Sequence, residues 1–311
     1  MSLDTHHSTD TSTGIDIRPS TPTIGAEVVG VDLRSPLDAA AVAEVRAALH
    51  THKVLFFRDQ ELTPEQHIAL GAQFGTLTEG HPLQESPEEY PEIMVVDTRE
   101  ARKVYGHVGE RPRFAPPRLT ASGWHTDITF VANPASASIL RGVVIPPYGG
   151  DTLWTNLEAA YEDLSAPVRD LLDGLQAVHR WHGYDHRTKA GKGGRPSAVH
   201  PVVRVHPETG RRSLFVNPVF TQYLVGLSDR ESSSLLRLLF DQIARPEFTV
   251  RFRWQPGSLA FWDNRSTAHL GPVDAAGTDF DRRVERVTLA GELPVGPDGF
   301  VSETLSGELF S

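Results

Sequence analysis

The 311-residue chain contains no cysteine. Disulfides, thiolate metal sites and cysteine nucleophiles are therefore excluded, and any metal must be held by imidazole and carboxylate. Basic residues are in the minority, 30 Lys and Arg against 40 Asp and Glu for a net charge of −10, and they form no basic block. Nucleic acid and anionic membrane surfaces are poor partners for such a chain. No apolar run approaches the roughly 18 residues of a membrane span. Residues 1–14 are rich in Ser, Thr, Asp and His and lack an apolar leader core. That stretch, with His6 and His7 in it, reads as a disordered tail, and the expected compartment is the cytoplasm. The remainder shows no internal repeat and no interdomain linker, so one domain over residues 15–311 is expected, long enough for a packed core.

What the chain does have is many short strand-like runs and few helices. Strands are expected at residues 24–33 (broken at Gly30), 53–57, 92–97, 137–145, 200–206, 212–216, 248–254, 258–263 and 284–290. Helices are expected over 38–49, from the capping box Thr63-Pro64-Glu65-Gln66 to about Phe74, and from the capping box Ser228-Asp229-Arg230-Glu231 to about Ile243. The pattern argues for a mainly β sandwich or jelly roll with helical additions. Residues 99–122, with Arg111, Arg113, Pro116, Pro117 and Arg118, and residues 183–197, with Gly191, Gly193 and Gly194, are long polar loops of the kind that serve as lids or stay irregular.

Three metal-ligand residue types stand out. His125 and Asp127 lie in Trp124-His125-Thr126-Asp127-Ile128-Thr129-Phe130, which reads as a strand with the two ligands on one face. His269 follows the apolar run 258–263. Two imidazoles and one carboxylate on one face of an octahedral ion leave three positions open, the arrangement of non-haem Fe(II) oxygenases. With 14 His and 40 acidic residues in the chain, a His-x-Asp pair also arises by chance, and a solvated strand face fits these residues equally. Arg282 and Arg286 then share one face of a strand-like run, a placement suited to planar anions, although an exposed edge with Arg283 and Glu285 alternating on the other face fits too.

Taken together, Trp124-His125-Thr126-Asp127, Gly149-Gly150-Asp151-Thr152-Leu153-Trp154, Trp262-Asp263-Asn264-Arg265 ahead of His269, and the Arg282/Arg286 pair resemble the taurine dioxygenase family, Fe(II)- and 2-oxoglutarate-dependent enzymes, in the family's order from about Ile15 to about Pro294. The taurine dioxygenase and alkyl sulfatase branch is the most similar part. The resemblance implies a double-stranded β-helix (jelly roll, cupin-like) core. It implies His125, Asp127 and His269 as Fe(II) ligands, Thr152 and Arg282 as contacts of 2-oxoglutarate, and Arg286 with His81 as contacts of an anionic substrate. With O2, such an enzyme hydroxylates an unactivated C–H of a small organic anion of alkyl sulfate or sulfonate type, with loss of sulfate or sulfite as the product collapses. Members of the family are commonly dimers or tetramers.

Departures bear on the substrate. The stretch from His81 to His125 is longer than in the taurine enzyme, Ala121 replaces an amide side chain, and Gln84 replaces a Tyr that contacts taurine. These favour a longer or bulkier anion. A tailoring hydroxylase or desaturase acting on a secondary metabolite or aryloxy acid is the alternative. A non-catalytic cupin-like metal-binding protein or a zinc hydrolase is the more distant one. A halogenase is disfavoured, because Asp127 fills the position that must be small to admit halide.

Overall fold

All four residues of Val54–Phe57 are buried, which a strand achieves only when both of its faces are covered. The structure, a computed structural model, describes residues 14–99, 123–181, 195–271 and 279–311. The tail at 1–13, nearly all of the loop expected at 99–122 and most of that at 183–197 lie outside the described residues. The first part of the chain forms β1 (Asp16–Pro19), β2 (Ala26–Val29), α1 (Ala39–His52), β3 (Val54–Phe57), α2 (Pro64–Ala72) and β4 (Met94–Asp97). Next come β5 (Ala137–Val144), β6 (Thr152–Asn156), α3 (Leu157–Glu162), α4 (Ala166–Leu172), β7 (Gln176–Arg180), β8 (Ser197–Pro201), β9 (Val203–Val205), β10 (Arg212–Leu214) and β11 (Thr221–Leu224). The last are α5 (Asp229–Ile243), β12 (Thr249–Phe252), β13 (Leu259–Asp263), β14 (Thr267–Leu270), β15 (Arg283–Leu289) and β16 (Glu303–Ser306).

A seven-stranded sheet in the order β1-β2-β3-β13-β5-β15-β4 carries the core. Alternation along its central strands sorts side chains onto two faces. Val54, Phe56, Leu140, Val284, Ala260 and Trp262 meet Trp154, Val250 and Phe252 of the three-stranded sheet β12-β6-β14. Leu55, Phe57, Ile139, Leu259, Phe261 and Val287 turn the other way, onto Val45 and Leu49 of α1 and Leu70 of α2. A further sheet, β11-β7-β8-β16, completes a mainly β jelly roll with helical additions.

The helices start where their caps dictate. Asp38 accepts the Ala41 amide ahead of α1, and Thr63/Gln66 and Ser228/Glu231 form capping boxes ahead of α2 and α5. The run expected as one strand over 200–206 is two, β8 and β9, divided by a bend at Val202, whose amide still bonds the Leu175 carbonyl and whose carbonyl accepts the Phe215 amide.

Candidate active site

The ligand residues are placed by backbone pairing. β14 pairs with β6, setting His269 opposite Trp154. His125 forms an isolated antiparallel bridge to His269, with reciprocal amide-to-carbonyl bonds of 2.9 and 2.7 Å. The Thr126 hydroxyl donates to the Thr267 carbonyl at 2.8 Å and secures the next residue. The strand expected over 124–130 is not formed beyond that bridge. Ile128 adopts φ 54° and the chain turns, so Asp127 reaches its neighbours from a turn and not from the face of an extended strand. A β-branched residue in the left-handed region is strained, and it persists here because Thr129 is held: its hydroxyl accepts from the Asn217 side chain and bonds the His179 ring, while its carbonyl bonds the His200 ring.

The three side chains converge. The His125 and His269 rings lie 4.1 Å apart between centroids, and His269 Nε2 is 3.8 Å from Asp127 Oδ1. Donor atoms of all three lie within 4.8 Å of one another. His125 Nδ1 donates to the Gly123 carbonyl at 2.8 Å, which leaves the Nε2 lone pair as the ligand atom. Burial pushes the His125 ring below its ordinary value against the pull of Asp127. Burial, reinforced by His125, brings His269 down to about 3. Burial alone would raise the Asp127 carboxyl, but Arg286, His269, His125 and the Ser138 hydroxyl outweigh it and hold the group below the ordinary carboxylate range. Neutral imidazoles beside an ionised carboxylate are the protonation states a metal requires. His269 turns its Nε2 toward Asp127 Oδ1, so that nitrogen is the one a cation shared with the carboxylate would take. The donor set fits a divalent ion with open positions.

A second cluster, His50, His206 and Asp263, has similar spacing but different chemistry. His206 Nδ1 accepts the Glu208 and Thr209 amides, its Nε2 bonds Asp263 at 2.9 Å, and Arg265 takes both oxygens of Asp263. Its donors are already occupied by protein, so it is an ion-pair network.

The remaining residues singled out in the sequence fall around the first cluster. Arg286, on β15, places Nη1 on Asp127 Oδ1 and Nη2 at 3.1 Å from Met94 Sδ. Arg282 stands just before β15 and continues its pairing with β4, its carbonyl accepting the Thr98 amide at 2.9 Å, while the register shift against β5 is an extra residue on β5 between Val144 and Gly142. The amide of Arg282 bonds Thr98 and its Nε donates to the Gly150 carbonyl at 3.0 Å, bringing it beside the 149–152 segment. Thr152 is buried, and its hydroxyl accepts the Trp254 indole N–H at 3.0 Å. His81 is buried, and its Nδ1 accepts the Leu83 and Gln84 amides, which puts the ring proton on Nε2. Its ring lies 5.4 Å from Trp181 and 6.0 Å from Phe130. These aromatics join Leu83, Ile128 and Phe220 in an apolar cluster, and Phe220 also faces His125 at 6.2 Å. Neither this cluster nor Ser138, whose hydroxyl donates to Asp127 Oδ2 at 2.9 Å, was marked by sequence reasoning, because no local pattern distinguishes them.

Comparison with known proteins finds relatives along nearly the whole chain. Residues 16–288 match the model of a family described as taurine catabolism dioxygenase TauD, TfdA. The chain is 42% identical over 305 residues to an alpha-ketoglutarate-dependent sulfate ester dioxygenase of Pseudomonas putida, covering 93% of this chain and 94% of the relative. It is 38% identical to an alkylsulfatase of Acinetobacter baylyi, covering 93% and 89%. The crystal structure of a taurine dioxygenase from Burkholderia xenovorans superposes with a TM-score of 0.81 at 49% identity, covering 95% of this chain and 96% of that one.

Proposed function

This chain belongs to the taurine catabolism dioxygenase TauD, TfdA family, and from that premise we propose that it is an Fe(II)- and alpha-ketoglutarate-dependent dioxygenase of alkyl sulfate esters. The observation that carries the proposal is the convergence of His125, Asp127 and His269 with Arg286 against Asp127, in a chain similar throughout its length to a sulfate ester dioxygenase.

His125, Asp127 and His269 would hold the metal. Bound Fe(II), with alpha-ketoglutarate (2-oxoglutarate) and O2, supplies the oxidising power to hydroxylate an unactivated C–H. Arg282 and Thr152 would take the far carboxylate of alpha-ketoglutarate, for which a permanent planar charge is the suited partner. Arg286 and the Nε2–H of His81 would grip the sulfate, and the Phe130, Trp181 and Phe220 cluster would shelter the alkyl chain from water. Hydroxylation at the carbon bearing the ester oxygen leaves a product that collapses to an aldehyde and sulfate. We further expect a homodimer or homotetramer. Among the described residues no helix is long and apolar enough to cross a membrane.

The test incubates the iron-loaded protein with alpha-ketoglutarate and a series of alkyl sulfates, following succinate and sulfate together. Equal amounts of both, dependent on the ester, are expected. Succinate formed with other substrates but without sulfate or sulfite would instead favour a tailoring hydroxylase.

A further inference from the structure

Behind Asp127 lies a chain of buried polar groups whose polarity is fixed at its far end. An indole nitrogen can only donate. Trp262 Nε1–H donates to Asn264 Oδ1 at 2.9 Å, so the amide of Asn264 must present its NH2 in the other direction. That NH2 donates to the Ser138 hydroxyl oxygen at 2.9 Å. With its oxygen accepting there, the hydroxyl turns its proton to Asp127 Oδ2, also at 2.9 Å. Trp262, Asn264 and Ser138 are each 1% exposed or less, so water does not compete for these bonds. The backbone holds the wire as well: Ser138 sits opposite Trp262 where β5 pairs with β13, and the Asn264 amide donates to the Ser136 carbonyl.

We propose that Ser138 and Asn264 are positioning residues that restrict Asp127 to one ligating oxygen. The inference rests on the metal-site reading above. Oδ2 is held by a donor that cannot reverse, while Oδ1 faces His269 Nε2. A carboxylate freed from Ser138 could rotate and offer both oxygens to the ion, filling a position that alpha-ketoglutarate or O2 needs. Arg286 cannot serve in place of Ser138, because it contacts Oδ1. Ser138 bonds Asp127 and Asn264 bonds Ser138, so both act through that carboxylate.

Cobalt(II) is a suitable probe, because its visible absorption reports ligand number and symmetry. Ser138→Ala should weaken Co(II) binding by roughly 10–100-fold, the usual effect of removing a partner of a ligand, and should alter the Co(II) spectrum. Asn264→Leu keeps the bulk and removes the NH2 that orients the Ser138 hydroxyl, so it should shift both readouts in the same direction by less. Ser136→Ala is the control: its hydroxyl donates to the Ala290 carbonyl at 2.8 Å and does not touch Asp127, and it should change neither. If Ser138→Ala does not fold, Asn264→Leu decides alone. Wild-type affinity and spectrum in both test variants would overturn the inference, as would equal losses in Ser138→Ala and Ser136→Ala. A wild-type protein that fails to bind Co(II) would overturn the metal-site reading itself, and this inference with it.

Discussion

At the scale of single residues, Arg282 separates the dioxygenase from a zinc hydrolase built on the same three ligands, since only the former has a use for a guanidinium at the far end of a cosubstrate. Charge-assisted hydrogen bonds are worth about 1.5–3 kcal/mol. Arg282→Ala should therefore raise the dissociation constant of alpha-ketoglutarate by roughly 10–150-fold, measured by titration calorimetry on the Mn(II)-loaded protein; an unchanged constant would remove Arg282 from the site. Gly150 provides an independent check. Its φ of 69° already favours glycine, and a Cβ there would stand 2.8 Å from Arg282 Cδ. Gly150→Ala should weaken alpha-ketoglutarate binding in the same direction by displacing that side chain, with metal affinity preserved. The closeness explains the Gly149-Gly150 pair, which the sequence displays without saying what passes beside it.

At the scale of elements, the turn at 127–130 is the part least legible in the sequence. Its residue types suit a strand, and what breaks the extension is a set of partners from distant segments: His179, His200 and Asn217 all converge on Thr129. Thr129→Val would leave the Asn217 amide and the His179 ring buried without that partner, at a cost of about 1–3 kcal/mol. Urea unfolding should show that loss, and Thr129→Ser should restore most of it; equal midpoints for Thr129→Val and the wild type would mean that the turn is held by packing alone. Helices α1, α2 and α5 were readable because a cap is a local signal spanning four residues, as Thr63-Gln66 and Ser228-Glu231 show, while the short α3 and α4 were missed. Short β7, β11, β14 and β16 were missed as well. The ligands His125, Asp127 and His269 and their Arg neighbours were visible as residue types in order. Ser138 and Asn264, separated by 126 positions, carry no sequence mark.

At the scale of the whole molecule, several imidazoles are buried away from the proposed metal. His67, His179 and His200 are each 0% exposed. Burial is the main cause that lowers all three, His67 and His200 to about 3 and His179 well below the ordinary value. Well above pH ~6.5 these rings are neutral in both the folded and the unfolded chain, and they add no pH dependence. Below it the unfolded chain gains protons that the folded one refuses, so stability falls as the pH drops toward 3, by roughly 1 kcal/mol per pH unit for each ring. Urea midpoints should be level between pH 8.5 and 7.5 and distinctly lower at 5.5; a midpoint unchanged at 5.5 would contradict the buried, neutral assignment. The jelly roll holds one constellation still: strand β14 carries His269 and bridges to His125, a strained turn delivers Asp127, and the register of a sheet brings Arg286 to it. The claim at the centre is that this constellation binds Fe(II) and then alpha-ketoglutarate. Anaerobic difference spectroscopy tests it most directly. Adding alpha-ketoglutarate to the Fe(II)-loaded protein should produce a weak visible charge-transfer band that shifts with an alkyl sulfate and is lost in His269→Ala, whereas bound iron with no band would contradict the account.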